Sequence, residues 1–222
     1  MNEHSLHIDL KHVYSVPGDI FEVKLGNYII DILRNDLLIE VQTKNFSAIK
    51  HKLDVLTKTH KVRLVYPLPE TKWIKYVTTK EVEINRRKST KKGKLLDVFR
   101  ELVRIPQLLG EENFSLEILF IDEEEIRCND GKGSWRRRGV SVKERRLLKL
   151  NDRVLFQNKT DYIKLLPKDL PDVFTNKDLS KIAKINIKVA QQITYCLRKS
   201  GIICVTAKKG NALYFKKNFD IS

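Results

Sequence analysis

The chain has 222 residues, 41% of them hydrophobic, which is enough for a main domain of about 150 residues and a small second one. Its 43 Lys and Arg against 28 Asp and Glu give a formal net charge of +15, which favours nucleic acid or another polyanion as a partner. The sequence shows no lipidation signal, basic amphipathic helix, signal peptide or apolar run of roughly 18 residues, so we expect no membrane association. Three scattered cysteines and five histidines without metal-binding spacing argue against disulfides, a zinc site and a His-based triad, and they fit a reducing cytoplasm.

Helical and strand-like patterns alternate in the first part of the chain. Apolar residues at Leu6, Leu10 and Val13 predict a helix over residues 3–14, which a Pro-Gly pair then ends. Three short runs rich in Ile, Val and Phe predict strands over residues 19–25, 27–34 and 37–44. An amphipathic helix is predicted over residues 46–60, followed by a strand over 61–69 that two prolines end.

The middle of the chain continues this alternation. The pattern predicts a helix over residues 94–109 and a strand over 114–121. We interpret the acidic run at 122–125 as an exposed strand end rather than a second metal site. Because helices and strands alternate, we expect a mixed α/β fold.

Two predicted turns bring three carboxylates into one row. Gly26-Asn27 and Asn35-Asp36 fit two-residue hairpin turns, which accept positive φ at their first position. With turns of that length, Glu22 lies opposite Asp31 and Asp31 lies opposite Glu40.

This row of like charges requires compensation, because like charges directly opposite in a sheet are destabilising. A hard divalent cation such as Mg²⁺, bound by carboxylate oxygens, would resolve the repulsion. The alternative is a solvated acidic face that Lys24 or Lys44 neutralises. The spacing leaves both possibilities open.

The same segment resembles the core of the PD-(D/E)XK nuclease superfamily, in its E-x-Q variant. Asp31 stands on one strand and Glu40-Val-Gln42-Thr-Lys44 on the next, followed by a helix and the strand KVRLVYP. The resemblance covers about residues 3–67. It implies a restriction-endonuclease-like mixed sheet flanked by helices, in a nuclease domain that we place at residues 1–157.

The resemblance also implies a metal site and a reaction, the hydrolysis of phosphodiester bonds with Mg²⁺ or Mn²⁺ as cofactor. Asp31, Glu40 and the carbonyl of Val41 would ligate the metal. Glu22 and Glu3 would complete the coordination of a second metal or the outer hydration of the first.

The departure from the superfamily pattern lies at Gln42, where the (D/E)-x-K element has Lys. The group that orients the attacking water and the phosphate is therefore left open between Gln42 itself, Lys44 one pleat further on, and Lys52 on the following helix.

Residues 158–222 form a second predicted domain, which begins where two prolines punctuate a polar stretch. Thr175 is placed to cap a helix, a short turn leads to a second helix that ends at Gly201, and two strands follow. This order resembles a winged helix-turn-helix. The resemblance implies DNA contacts from the second helix and the hairpin, at Lys188, Gln191, Gln192, Thr194, Arg198, Lys208 and Lys209.

Two basic clusters in the first domain add to the case for DNA. One lies over residues 86–94, and the other comprises Arg136-Arg137-Arg138 with Arg145 and Arg146. Trp135 beside the arginines would stack on a base or pack within the protein. Each cluster is equally compatible with a solvated loop.

The sequence thus predicts a cytoplasmic, metal-dependent DNA endonuclease, associated with the nucleoid when bound to DNA. Its expected partner is duplex or branched DNA, and a homodimer is one way of making the two cuts that a duplex needs. The alternative is a non-catalytic DNA-binding regulator whose nuclease core has decayed, which the Gln at position 42 favours.

Overall fold

The computed structural model describes residues 5–218 and has a mixed α/β architecture, in which helices flank a large mixed sheet. The helices are α1 (Ser5–Tyr14), α2 (Lys50–Leu56), α3 (Phe99–Leu102), α4 (Lys159–Ile163), α5 (Asn176–Ile182) and α6 (Ile187–Lys199). The strands of the large sheet are β1 (Ile20–Leu25), β2 (Tyr28–Arg34), β3 (Leu37–Val41), β4 (Lys61–Val77), β5 (Glu83–Lys88), β6 (Phe114–Asn129) and β7 (Val140–Phe156). A smaller sheet contains β8 (Val173–Phe174), β9 (Ile203–Lys209) and β10 (Ala212–Lys217).

The large sheet has the strand order β1-β2-β3-β4-β6-β7, with β5 paired to the distal part of β4. The pairs β3–β4 and β4–β6 are parallel, whereas the others are antiparallel. A parallel pair needs a crossover connection, and α2 supplies one between β3 and β4. The predicted helix between these strands is confirmed, but it is shorter than residues 46–60 because residues 46–48 form a 3₁₀ turn.

Helix α1 covers one face of the sheet. Its buried stripe is Leu6, Leu10 and Tyr14, which pack with Ile39 and Val65 among other sheet residues. Val13, predicted to face inward, is instead 50% exposed. The other buried residues of this helix, Lys11 and Tyr14, lie on the opposite side of Leu10 from Val13, so Val13 falls at the margin of the buried face.

The other face of the sheet carries α2, α3 and the C-terminal region on a larger core, which includes Leu64, Phe99 and Leu116. The predicted helix over residues 94–109 is wrong in extent. Two 3₁₀ turns, at 95–98 and 106–108, flank the single turn of α3. Pro106 explains the break, because proline disfavours helical backbone at the preceding residue and lacks an amide hydrogen.

Strand β4 does not end at its prolines, contrary to the sequence prediction, but runs on to Val77. The carbonyl of Val65 accepts a hydrogen bond from the Gln42 amide, so the backbone N–H and C=O groups of odd-numbered residues in β4 are directed toward β3. Strand β3 ends at Val41, which pairs with Val65, so no β3 residue lies beside Pro67 and Pro69. A backbone amide at these positions would have no β3 carbonyl to bond, and proline, which lacks the amide hydrogen, is therefore tolerated within β4.

Because β4 continues to Val77, its pairing with β6 and that of β6 with β7 extend beyond the ends of β1, β2 and β3. These parts of β4, β6 and β7 project past the first three strands. The acidic run lies within this extension, so its interpretation as an exposed strand end is wrong. Glu123 is 0% exposed, and Glu124 and Glu125 are also buried. Cations on neighbouring strands compensate them, which explains how three consecutive acids are accommodated in a sheet.

The C-terminal elements follow the predicted order of helix, turn, helix and hairpin. The Thr175 hydroxyl accepts a hydrogen bond from the Asp178 amide while the Asp178 carboxylate accepts one from the Thr175 amide, a capping box that starts α5. The side chain of Asn186 caps α6, and Gly201 follows that helix with φ 73°. The small sheet has the strand order β8-β10-β9.

The C-terminal region shares one continuous core with α2, α3 and the face of the large sheet that they cover. Tyr162 stacks on Phe156 with their ring centroids 5.2 Å apart, and α6 packs against α3 and the 3₁₀ turn at 106–108. The boundary predicted after residue 157 therefore falls where apolar packing continues without a break. In the described part of the chain, no helix is both long and apolar enough to cross a membrane.

Candidate functional site at the first two hairpins

The register of β1, β2 and β3 is the predicted one. Val23 pairs with Ile30 and Ile32 pairs with Ile39, while Gly26 and Asn35 take φ values of 58° and 54° in the two turns. This register puts Glu22 level with Asp31, and Asp31 level with Glu40. The backbone pairing is interrupted at these positions. The side chain of Asp31 accepts a hydrogen bond from the backbone amide of Val41 instead.

Asp31 lies buried between β3 and α1, with 9% of its surface exposed. Its Oδ2 accepts a hydrogen bond from the Val41 amide at 2.8 Å and lies 3.2 Å from Nε2 of His7. Its Oδ1 lies 3.7 Å from Nζ of Lys11. Burial acts to raise the pKa of Asp31, but His7, the Val41 amide and Lys11 together hold it below its usual value. Asp31 is therefore an ionised carboxylate at neutral pH.

Glu40 is 4% exposed and faces α2, where Nζ of Lys52 lies 2.5 Å from its Oε1. The same ammonium donates to the carbonyl of Ile29 at 2.5 Å. Burial and the nearby charge of Asp31 raise the pKa of Glu40 to about 7, against the lowering effect of Lys52. The two carboxyl groups thus have opposite pKa shifts and are close enough for the charge of Asp31 to act on Glu40, although their cations come from helices on opposite faces of the sheet, α1 for Asp31 and α2 for Glu40.

Glu22 is the outer member of the row and is half exposed. It adopts φ 53°, a left-handed conformation that interrupts the pairing of β1 with β2. Lys11 forms an ion pair with Glu22 and also lies near Asp31, so one ammonium serves both carboxylates. With Lys52 at Glu40, the repulsion along the row is offset by two lysines in this structure.

The three candidates for the water-orienting role occupy different places. Lys52 lies at Glu40, as described above. The side-chain amide of Gln42 donates to the carbonyls of Lys44, at 2.5 Å, and Asn45, at 3.3 Å, so it is engaged in the turn that follows β3. Lys44 is exposed on that turn. Glu3, predicted as an outer acid, lies outside the described residues.

His7 and Lys11 are site residues that the sequence analysis missed. They are spaced i, i+4 on α1, immediately after the buried Leu6 and Leu10, and this spacing puts both on one side of the helix. The spacing indicates that His7 and Lys11 share one side of α1, but only the packing of α1 beside Asp31 shows that this side contacts the carboxylate.

The donor set fits a hard divalent cation in part. Asp31 and Glu40 offer carboxylate oxygens, and a dication would offset the burial and the nearby charge of Asp31 that together raise the pKa of Glu40. Among residues 5–218, no group of three or more His, Cys, Asp or Glu side chains converges as a metal site. A cation held here would thus combine two carboxylates with a backbone carbonyl, for which Val41 is the candidate, and water.

The predicted DNA-contacting residues differ in accessibility. Lys188, Gln191 and Arg198 are exposed on α6, and Gln192 is half buried. Thr194 is 2% exposed and donates to Oδ1 of Asn176 at 2.7 Å, so its prediction as a groove contact is wrong. Position 194 faces α5 because α6 uses that side for the helix–helix contact.

The remaining predicted contacts are all on the surface. Lys208 and Lys209 are exposed at the end of β9, and the Lys209 ammonium lies 5.6 Å from the centroid of the Tyr214 ring. Arg136, Arg137 and Arg138 form an exposed turn between β6 and β7, next to Trp135, which is also exposed.

Comparison with known proteins gives two findings for this chain. Residues 4–157 match the family described as Domain of unknown function (DUF8091). A protein of Treponema pallidum (strain Nichols), named "Uncharacterized protein", is 31% identical over 217 residues, which is 97% of this chain and 85% of that protein. No solved structure matches the chain.

Proposed function

This chain belongs to the DUF8091 family, and we propose that it is a metal-dependent DNA endonuclease with a core of the PD-(D/E)XK type. The observation that carries the proposal is the burial of Asp31 and Glu40 side by side on adjacent strands, with Lys52 at Glu40. Burial of two like charges destabilises a fold, so an arrangement of this kind is more often found at functional sites than elsewhere.

The order of elements supports the same proposal. A helix, a hairpin carrying Asp31 and Glu40, a crossover helix and a parallel strand follow one another in the chain and pack in one sheet. This is the arrangement that the superfamily resemblance implies for its metal-binding strands. Lys52, on the crossover helix, is the residue we propose for the role of the lysine that Gln42 replaces, since its ammonium lies at Glu40.

The chemistry assigned to the site is hydrolysis of a phosphodiester. Asp31 and Glu40, with the carbonyl of Val41, would hold Mg²⁺ or Mn²⁺, which when bound polarises a phosphate and acidifies water. Lys52 is placed to orient the attacking water and to donate to the phosphate, since its ammonium already lies at Glu40. His7 and Lys11 keep Asp31 ionised and in position.

The C-terminal region is proposed to be a winged helix that binds DNA. Its helices α5 and α6 and the β9–β10 hairpin have the required order, and residues 158–222 contain 13 Lys and Arg against 5 Asp. Such a charge attracts phosphate backbones. Because α6 packs against α3, the DNA-facing surface would consist of its exposed side and the hairpin with Lys208 and Lys209.

The test is a cleavage assay on plasmid and branched DNA with Mg²⁺ or Mn²⁺, comparing the wild type with Asp31→Ala and Glu40→Ala. Metal-dependent nicking that both substitutions abolish is the expected result. If the wild type binds DNA but cuts no substrate with either metal, the nuclease proposal fails. Gel filtration with and without DNA would test the proposed homodimer.

A non-catalytic DNA-binding regulator is the second candidate. It is favoured by the lysines at the carboxylate row, which neutralise the acids without a metal, and by the absence of a three-residue metal cluster within residues 5–218. Salt-dependent binding to duplex DNA that Asp31→Ala and Glu40→Ala leave unchanged, together with no cleavage, would support this candidate. Both candidates fit a protein that acts in the cytoplasm.

A further inference from the structure

A cavity of about 640 Å³ lies between α1, the end of β3 and the projecting parts of β4, β6 and β7. Leu6 forms part of its wall, one residue before His7, which contacts Asp31. Thr43 and Lys44 form another part, a few residues after Glu40 on the same segment. The cavity therefore adjoins the two segments, α1 and the end of β3, that carry residues of the candidate active site, and the long strands extend it away from there.

Cations dominate the lining of this cavity. Six basic side chains border it, at Lys44, Lys72, Lys132, Arg137, Lys143 and Arg145, against two acids. Both acids are already engaged, Glu125 by Lys72 and Arg127, and Glu144 by Arg146. Four of the basic residues, those other than Lys72 and Arg145, form no ion pair within residues 5–218. An anionic ligand would relieve the repulsion between them.

A fully buried acid holds the other two cations in place. Glu123, which is 0% exposed, forms ion pairs with Lys72, at 2.7 Å, and with Arg145. Burying this carboxylate is favourable only because both cations converge on it. As a result Lys72 and Arg145 are fixed at the base of the cavity.

An aromatic ring completes the wall. Tyr66 lines the cavity, and its ring makes a T-shaped contact with Phe46, with centroids 5.1 Å apart, which fixes its orientation. Positive charge that follows a phosphate backbone, combined with an aromatic surface for bases, is the combination that single-stranded nucleic acid requires.

The size of the cavity selects among nucleic acids. Its volume of about 640 Å³ is in the range of small-ligand sites. A DNA duplex, with a major groove alone about 12 Å wide, is too large to enter such a space. A few unpaired nucleotides of one strand are small enough.

We propose that this cavity binds a single-stranded DNA segment next to the scissile phosphate. Lys132, Arg137 and Lys143 would contact its phosphates, and Tyr66 would contact a base. The assignment rests on the proposed nuclease function and deepens it, because it makes the substrate DNA with an unpaired stretch, such as a frayed end, flap or branch. The projecting parts of β4, β6 and β7 would form the wall of the cavity that binds this DNA segment.

The test is a fluorescence anisotropy titration in EDTA, so that binding is measured without cleavage. The probes are a short single-stranded oligodeoxynucleotide and a blunt duplex of the same sequence, with inorganic phosphate and a mononucleotide as competitors. The variant is Arg137→Glu with Lys143→Glu, both exposed positions at the cavity. The control is Lys58→Glu with Lys80→Glu, which changes the net charge equally at two exposed positions away from it.

The expected result is that the cavity variant loses about tenfold or more in affinity for the single strand and that its salt slope falls by about 1.4, roughly 0.7 for each of the two phosphate contacts removed from a single strand. The control should keep the wild-type affinity within about twofold, apart from the general effect of charge. Binding to the duplex should change by the same small factor in both variants, since the C-terminal hairpin carries it.

Two outcomes would overturn the proposal. In the first, cavity variant and control lose affinity for the single strand equally, which would show only a general charge effect. In the second, the mononucleotide or inorganic phosphate competes as well as the oligonucleotide, which would make the cavity a small-anion site. Since the titration needs no metal, an inactive protein that still shows the expected binding would disprove the nuclease while leaving the strand-binding cavity in place.

Discussion

Nζ of Lys52 lies 2.5 Å from Oε1 of Glu40, and this ion pair connects α2 to β3. Lys52→Met removes this cation and leaves Glu40 buried next to Asp31, so the pKa of Glu40 should rise further above about 7. In the cleavage assay we expect the single-turnover rate to fall about 100-fold or more, the usual size of such effects. Lys52→Arg, which keeps the charge, should retain part of the activity. Equal rates for Lys52→Met and the wild type would assign the role elsewhere.

The raised pKa of Glu40 predicts a pH dependence of stability. The folded protein holds a proton on Glu40 up to about pH 7, whereas in the unfolded chain this group titrates near 4.5. The folded state therefore binds more protons between these values, and the free energy of unfolding should decrease as the pH rises through this interval. Glu40→Gln, a neutral isostere, should remove that decrease, which is about 3 kcal/mol for a pKa difference of this size. Urea denaturation of both proteins in EDTA, at several pH values, measures it. Parallel pH profiles would contradict the assignment.

A divalent cation should stabilise the folded protein if Asp31 and Glu40 hold it. At a hundredfold excess over Kd, the expected gain is about 2.7 kcal/mol, seen as a rise in Tm on adding Mg²⁺ or Mn²⁺. Asp31→Asn should abolish the rise, while Asp36→Asn, a change on the exposed turn of the same hairpin, should preserve it. A rise that persists in Asp31→Asn would place the cation at another site.

The buried Glu123 should be the least replaceable acid in the projecting strands. Glu123→Gln leaves Lys72 and Arg145 without their shared carboxylate, and removal of one partner from a buried ion pair costs about 3–5 kcal/mol. Glu144→Gln, at a more exposed pair with Arg146, should cost about 1 kcal/mol or less. Chemical denaturation of the two variants measures the difference. Similar costs would mean that the Glu123 cluster is not tightly formed.

The continuous core predicts that the C-terminal region unfolds together with the rest. Calorimetry should show one transition, and Leu197→Ala, in the buried side of α6, should lower the Tm of the whole protein with a loss of about 2–5 kcal/mol. A surface change on the same helix, Gln191→Ala, serves as the control. Two separate transitions, with only one affected by Leu197→Ala, would show two independent folding units.

The hairpins show how much of the site local sequence can specify. Gly26 and Asn35 set the turn lengths, and turn length fixes which residues face each other, so the alignment of Glu22, Asp31 and Glu40 was predictable. The helix caps at Thr175 and Asn186 were accessible for the same reason, since a cap depends only on residues a few positions apart. Pro67 and Pro69 were misread because their effect depends on whether a neighbouring strand is present.

By itself, then, the sequence determined the local features of this protein: the alternation of helices and strands, the two hairpins with their carboxylates, and the basic charge of the C-terminal region. Only the tertiary structure decided which cations meet those carboxylates. His7 and Lys11 reach Asp31 from α1, Lys52 reaches Glu40 from α2, and Glu123 becomes buried between Lys72 and Arg145. The physical reason is range. Turns and caps depend on neighbours in the chain, so a local pattern predicts them. Burial and ion pairing depend on residues that packing brings together from distant segments, and a local pattern does not show where those segments meet.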